Sequence, residues 1–236
     1  MSSSPRLKFI EGAIDTIPLM IGAMPFGIIY GTLSQSSDLS VYGALALSSI
    51  VFAGSSQFVA LGLIASGSSI FIIIVTTFLI NLRHLLYSFS LRHHLSHLPQ
   101  KWKIPLSFGL TDETFAVTIK HYSDINSHDL KHWYFLGSFL FFYLNWQIFT
   151  VVGIIFGSSF PEIKDWGLEF AMSATFIGIV IPYLKSKPMI ITAIASSILV
   201  LILKDLPNNI GLIISSIIGI SIGVLLELKL STSKKK

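Results

Sequence analysis

Three polar clusters and one proline-bearing segment interrupt the apolar stretches of this chain, and each carries groups able to bind or move charge. In Phe52-Ala53-Gly54-Ser55-Ser56-Gln57-Phe58, small and hydroxyl residues sit in the middle of an apolar run, residues 41–65. A half-helix opening there presents free backbone N–H groups, a partial positive charge that favours an anion such as a carboxylate. Gly54, Ser55, Ser56 and Gln57 are therefore candidate ligands; a serine and glycine packing seam between helices is the alternative. In Asn81-Leu82-Arg83-His84-Leu85-Leu86-Tyr87, helical spacing puts Asn81, His84 and Ser88 on one face and Arg83 with Tyr87 on the next. Asn81 is a candidate substrate ligand, and His84 titrates near neutral pH, which suits a proton or substrate role. Arg83 also fits a cation that snorkels to the nearby cytoplasmic end of its run.

In Leu110-Thr111-Asp112-Glu113-Thr114-Phe115-Ala116, Thr111 suits a helix N-cap, and Asp112 and Glu113 fall in the first turn, where the dipole favours acids. Carboxylates in apolar surroundings are also partners for a substrate ammonium or a coupling proton. In Ala23-Met24-Pro25-Phe26-Gly27, proline removes a backbone N–H and crowds the preceding turn. A broken opening helix is expected there, with Pro25, Phe26 and Gly27 lining a substrate cavity or else only shaping a kink. Gly211, Ser215, Gly219 and Gly223 form a small-residue stripe for helix packing, internal or toward a partner. Asn145-Trp146-Gln147 is a polar step in an aromatic helix that faces a cavity or bonds a neighbour. His93 and His97 stand at metal-ligand spacing, but no local acid or cysteine joins them and a basic loop accounts for them. No phosphate-binding loop, zincin motif or nucleophile elbow is present, so neither an enzyme activity nor a cofactor or metal is expected.

The elements holding these groups follow from composition. Of 236 residues, 52% are hydrophobic and 12% charged, with no cysteine, a net charge of +4 and a mean hydropathy of +0.74. An ordinary soluble domain carries about 25% charged residues, so a polar shell is lacking and an integral membrane protein is expected. Its apolar runs, at residues 14–33, 41–65, 69–91, 133–157, 170–184, 188–203 and 210–228, are apolar on all faces and mostly too long for barrel strands. The fold class is therefore all-α, with six to seven transmembrane helices. Residues 104–119, shorter and interrupted by acids, are a weak further span.

Basic residues mark cytoplasmic loops. Arg6 and Lys8 place the N-terminus inside, and Arg92, Lys101 and Lys103 place the loop after residue 91 inside as well. Both conditions hold if residues 41–65 dip in from outside, break at Gly54-Ser55-Ser56-Gln57 and return, as a re-entrant hairpin. A seventh crossing with one loop against the rule is the alternative. The resulting organisation is a cytoplasmic segment 1–13, a transport domain 14–228 and a basic cytoplasmic tail 229–236, with only Lys164 and Lys204 of the basic residues outside.

Taken in order, Pro25-Phe26-Gly27, Phe52-Ala53-Gly54-Ser55-Ser56-Gln57-Phe58, Asn81-Leu82-Arg83-His84-Leu85-Leu86-Tyr87 and Thr111-Asp112-Glu113-Thr114-Phe115-Ala116 resemble the AzlC family of branched-chain amino acid exporters. Leu168-Glu169-Phe170-Ala171-Met172 is similar too, with Glu169 where the family pattern has Asp and no proline near Met172. The resemblance implies the large subunit of a two-part permease in a bacterial inner membrane, working with a small AzlD-like membrane subunit. It also implies secondary export of valine, leucine, isoleucine and sometimes methionine, without ATP. A channel-like facilitator or uptake permease for another small solute is the competing function, and a membrane enzyme or assembly scaffold a more distant one. No nucleic acid partner is expected.

Overall fold

The structure is a computed structural model that describes residues 4–37, 39–124, 130–159, 177, 181, 184–206 and 210–233. Among the described residues every regular element is helical. In chain order these are α1 (Pro5–Ser36), α2 (Val41–Ile50), α3 (Gly54–Ala65), α4 (Ile70–Asn81), α5 (Arg83–Leu95), α6 (Gln100–Phe108), α7 (Asp112–Asp124), α8 (Lys131–Ser159), α9 (Lys187–Ile202) and α10 (Ile210–Ser233). Pro5–Ser36, Ile70–Leu95, Lys131–Ser159 and Ile210–Leu230 are long and apolar enough to cross a bilayer. α4 and α5 form one of these four, interrupted only by a turn at Leu82. The expected crossing at 170–184 and the Leu168 to Met172 motif lie largely or wholly outside the described residues.

Serine opens several of these helices. Ser4 accepts from Leu7 N–H, Ser40 from Gly43 N–H and Ser186 from Met189 N–H, each supplying a partner that the first turn lacks. α1 starts at Pro5, nine residues before the apolar run, and continues unbroken through Pro18 and Pro25. The expected break at Pro25 is thus corrected. Each proline removes one i to i−4 bond, and the neighbouring helix holds the remaining turns in line.

That neighbour is α8. Gly12 lies against Tyr134, Gly137 against Phe9, Gly31 against Thr150 and Gly153 against Ile28, backbone to backbone. The contacts advance in the same direction on both chains, so α1 and α8 are parallel. Thr16 donates to Ser138 (2.7 Å), Asn145 to the Met20 carbonyl (3.2 Å) and Thr32 to the Gly153 carbonyl (3.1 Å) along the same seam. Two parallel neighbours oblige the intervening chain to return to the side from which it started.

The long element Ile70–Leu95 makes that return, with one hairpin before it and one after it. α2 and α3 have 10 and 12 residues, only ~15 and ~18 Å of helix, too short to cross singly. Tyr30 donates to the Ala44 carbonyl, Ser48 meets Thr150, and Phe52 reaches Phe142 and Phe139. α2 therefore descends along α8 toward its start. Gln57, one turn into α3, donates back to Val51 (2.6 Å) and Ser48 (3.4 Å) carbonyls, and Phe58 packs on Tyr30. The chain has reversed. α6 and α7 repeat the device from the opposite end. Trp102 meets Trp133 and Phe108 meets Phe139 on the way in, while Tyr122 donates to the Lys131 carbonyl on the way back. The expectation of a single weak span at 104–119 is corrected by this second hairpin, which turns at Gly109, Leu110 and Thr111. The tips touch, Phe52 stacking on Phe108 at 6.2 Å. Each hairpin is followed by a long helix, and the second unit runs opposite to the first.

α9 and α10 pack antiparallel. Gly211 abuts Leu203, Gly219 abuts Ser196 and Gly223 abuts Thr192, while Ser215 is buried and donates to the Gly211 carbonyl. Of the two uses the small-residue stripe allows, α9 occupies it as internal packing.

Candidate functional site

The two hairpin tips, α1, α5 and α8 enclose a cavity of about 330 Å³, within the range of small-molecule sites. Its walls differ in character. α1 contributes Pro18, Leu19, Gly22, Ala23 and Phe26, and α8 contributes Phe142 and Trp146, an apolar side. The polar side is Ser55 from α3, Arg83 and His84 from α5, and Thr111, Asp112 and Glu113 from the second tip.

Arg83 organises the polar side. Its two terminal nitrogens bond Asp112 Oδ2 (2.8 Å) and Ser55 Oγ (2.6 Å), tying the hairpins together. Tyr87, one turn later on the same helix face, donates to Asp112 Oδ1 and stacks on Phe115 at 4.4 Å. The Arg83 and Asp112 side chains are 23% and 21% exposed, so the pair is partly desolvated. Arg83 Nε and His84 Nε2 are buried without a hydrogen-bond partner, polar capacity left over at a cavity wall.

The two helix starts are unlike. At α7, Thr111 Oγ1 accepts from Thr114 N–H, and Asp112 and Glu113 fill the first turn; the N-cap expected from the sequence is formed. At α3 no side chain caps the helix. Its first N–H groups and the dipole's positive end therefore remain available beside Arg83. The cavity thus has a positive corner at Gly54, Ser55 and Arg83, two carboxylates at Asp112 and Glu113, and an apolar wall opposite.

The structure brings Phe26, Gly54, Ser55, His84, Asp112 and Glu113 together at this cavity. Pro25, Gly27, Ser56, Gln57 and Asn81 are not on its walls. Gly27 packs on Phe149, and Ser56 donates to the Ala53 carbonyl. Gln57 is fully buried, donating to α2 and accepting from Trp146 Nε1 at 3.2 Å. It closes the first hairpin. Gln57→Ala is accordingly expected to lower thermal stability by ~2–4 kcal/mol, because the Val51 carbonyl and the Trp146 indole lose their partner. Unfolding of the purified variant checks this, and an unchanged midpoint with weakened substrate binding contradicts it.

Arg83 was open to a snorkelling role, yet Ile70–Leu95 is long and apolar enough to cross a bilayer and Arg83 stands at its middle. It stands twelve residues before the helix end at Leu95, beyond the reach of a side chain. Trp146 was signalled by the polar step in which it lies, and Ala23 by the proline-bearing segment it opens; Phe142 carried no signal of its own. Among the described residues, Glu11, Asp15 and His121 form a group of metal-ligand size. Glu11 Oε2 binds Lys8 and Asp15 Oδ2 accepts from Tyr134, both at 2.7 Å, while Glu11 Oε1 faces His121 Nδ1 at 3.7 Å.

The sequence pattern of the AzlC protein family matches residues 18–160, which include both hairpins and the whole cavity. Inner membrane protein YgaZ of Escherichia coli K12 is 31% identical over 184 residues, 76% of this chain and 74% of that protein. The branched-chain amino acid transport protein AzlC of Bacillus subtilis 168 is 32% identical over 173 residues, 73% of this chain and 66% of that protein. An uncharacterized membrane protein of Archaeoglobus fulgidus is 33% identical over 192 residues, 79% of this chain and 80% of its own length. No solved structure matches. With the family pattern spanning more than half of the chain and relatives above 30% identity, the protein is a member of the AzlC family of membrane transport proteins.

Proposed function

We propose that this chain is a secondary transporter that exports branched-chain or other neutral aliphatic amino acids through the central cavity. The observation that carries the reading is Arg83, held between Ser55 and Asp112 beside the uncapped start of α3. A zwitterion needs a positive corner, a negative corner and a wall for its side chain, and the cavity has all three. The substrate carboxylate takes the position of Asp112 against Arg83 and the α3 N-terminus. Asp112, released from Arg83, and Glu113 receive the ammonium. The aliphatic side chain lies on Leu19, Gly22, Phe26 and Phe142. His84 is proposed to pass the coupling proton.

The name of the Bacillus subtilis relative supports the substrate class, and that of the Escherichia coli relative supports an inner-membrane location. The proposed topology has six crossings, both termini cytoplasmic, with the first hairpin entering from outside and the second from inside. A small AzlD-like membrane subunit is the proposed partner.

Loading cells with a valine-containing dipeptide and following valine efflux tests the proposal. Efflux is expected to fall when this chain and its small partner are deleted together, and normal efflux rejects the reading; efflux untouched by an uncoupler favours a channel-like facilitator. Side-chain selection has its own test. A Cβ at Gly22 meets nothing within 4 Å, so Gly22→Val folds and narrows the apolar side. Leucine export is expected to fall ~10-fold or more while alanine export changes little, the size of effect that a methyl clash produces.

A further inference from the structure

A second cavity, of about 510 Å³, lies between α5 and α6, away from the central one. Its floor is apolar and deeply buried: Leu91, Leu98, Leu106, Leu110 and Phe135 are each at most 7% exposed. Its rim is basic. Arg92 from α5 and Lys103 from α6 stand there, with Ser96 beside them and no acid in the lining. Neither cation takes part in an ion pair among the described residues. On either side the helices turn large apolar residues outward, Phe89 at 67% and Ile104 at 69% exposure, as expected of faces against hydrocarbon.

A charged rim over an apolar trough has one natural occupant. A free phosphate would leave the trough empty, and a soluble peptide would have to reach past two lipid-facing ridges. The bilayer around a membrane-spanning chain offers phospholipids at such a face, and an anionic one supplies the negative charge the rim lacks. Basic pockets between helices on the cytoplasmic side are known to take such headgroups, and the loop at residues 96–99 is on that side in the proposed topology. We propose that this groove is a binding site for one anionic phospholipid, its phosphate between Arg92 and Lys103 and an acyl chain along the trough toward Leu110. Leu110 precedes Thr111 and Asp112, so the bound chain supports the hairpin whose tip pairs with Arg83.

The test is thermal unfolding of the purified full-length protein in mild detergent, with phosphatidylglycerol, phosphatidylcholine or glycerol phosphate added. A ligand of the folded state raises the midpoint. Phosphatidylglycerol is expected to raise it by roughly 3 °C or more over phosphatidylcholine, and glycerol phosphate to have no effect. R92Q/K103Q is expected to lose the difference, whereas K185Q/K187Q, which removes two cations elsewhere, keeps it. Ser107→Trp fills the trough but leaves the cations, and is also expected to lose it. The proposal is overturned if R92Q/K103Q keeps the shift, if K185Q/K187Q loses it equally, or if glycerol phosphate reproduces it. None of these outcomes depends on amino acid export, so failure here leaves the proposed function standing.

Discussion

Arg83→Gln is expected to abolish valine export, and the double variant R83Q/D112N to be recovered in better folded yield than either single variant. Arg83 joins both hairpins through Ser55 and Asp112. Its removal takes away the cation proposed to receive the carboxylate and leaves Asp112 a partly desolvated anion supported by Tyr87 and the start of α7. Breaking a buried pair from one side costs about 3–5 kcal/mol; this pair keeps some water contact, so about 3 kcal/mol is expected. Removing both charges avoids the orphan and returns part of that loss, although export stays absent. Efflux per molecule at matched abundance, with the unfolding midpoint of each variant, checks both statements. Export by Arg83→Gln at the normal rate would remove Arg83 from the substrate path. A double variant less stable than both singles would mean that the pair is not the main partner of either charge.

The second large effect concerns the α1 and α8 seam. Gly137→Val and Gly31→Val are expected to yield no correctly folded protein, whereas Gly22→Ala on the same helix as Gly31 is tolerated. A Cβ at Gly137 would stand closer than 3.0 Å to the Phe9 carbonyl, and one at Gly31 equally close to that of Thr150. Both obstacles are backbone, which cannot rotate aside. Overpacking against mobile side chains costs about 1–3 kcal/mol, and here two helices must separate along bonds such as Thr16 to Ser138. Gel filtration of the solubilised variants separates the outcomes: monodisperse Gly137→Val protein would show that the seam gives way.

Much of this architecture could be read from residue order. The reversal inside residues 41–65 followed from where the basic residues lie, and Gln57 shows how it is fixed, by turning its amide back on α2. The second reversal was hidden because α6 and α7 are mixed in character, with Lys101, Lys103, Lys120 and His121 among their apolar residues. Average polarity of that kind suits a surface segment as well as a buried hairpin. Pro25 misled in the other direction, since one lost backbone bond does not break a helix that a parallel neighbour grips along its length. Arg83 shows the firmest limit. Its depth depends on where α5 ends, at Leu95, and its partners lie 28 positions upstream and 29 downstream. No local pattern encodes such a meeting.

The partners of the first hairpin also set an order of events during synthesis. Ser48 and Gln57 meet Thr150 and Trp146, which follow them by 102 and 89 residues. A ribosome adding ~5–20 residues per second leaves the hairpin without those partners for several seconds after it has emerged. Through that interval its polar tip has no stable place in hydrocarbon and must wait in contact with water or the insertion machinery. α8 then arrives beside α1 and supplies the wall against which the tip closes. Insertion of this chain is therefore a late capture of an early segment, with α8 as the element that ends the wait.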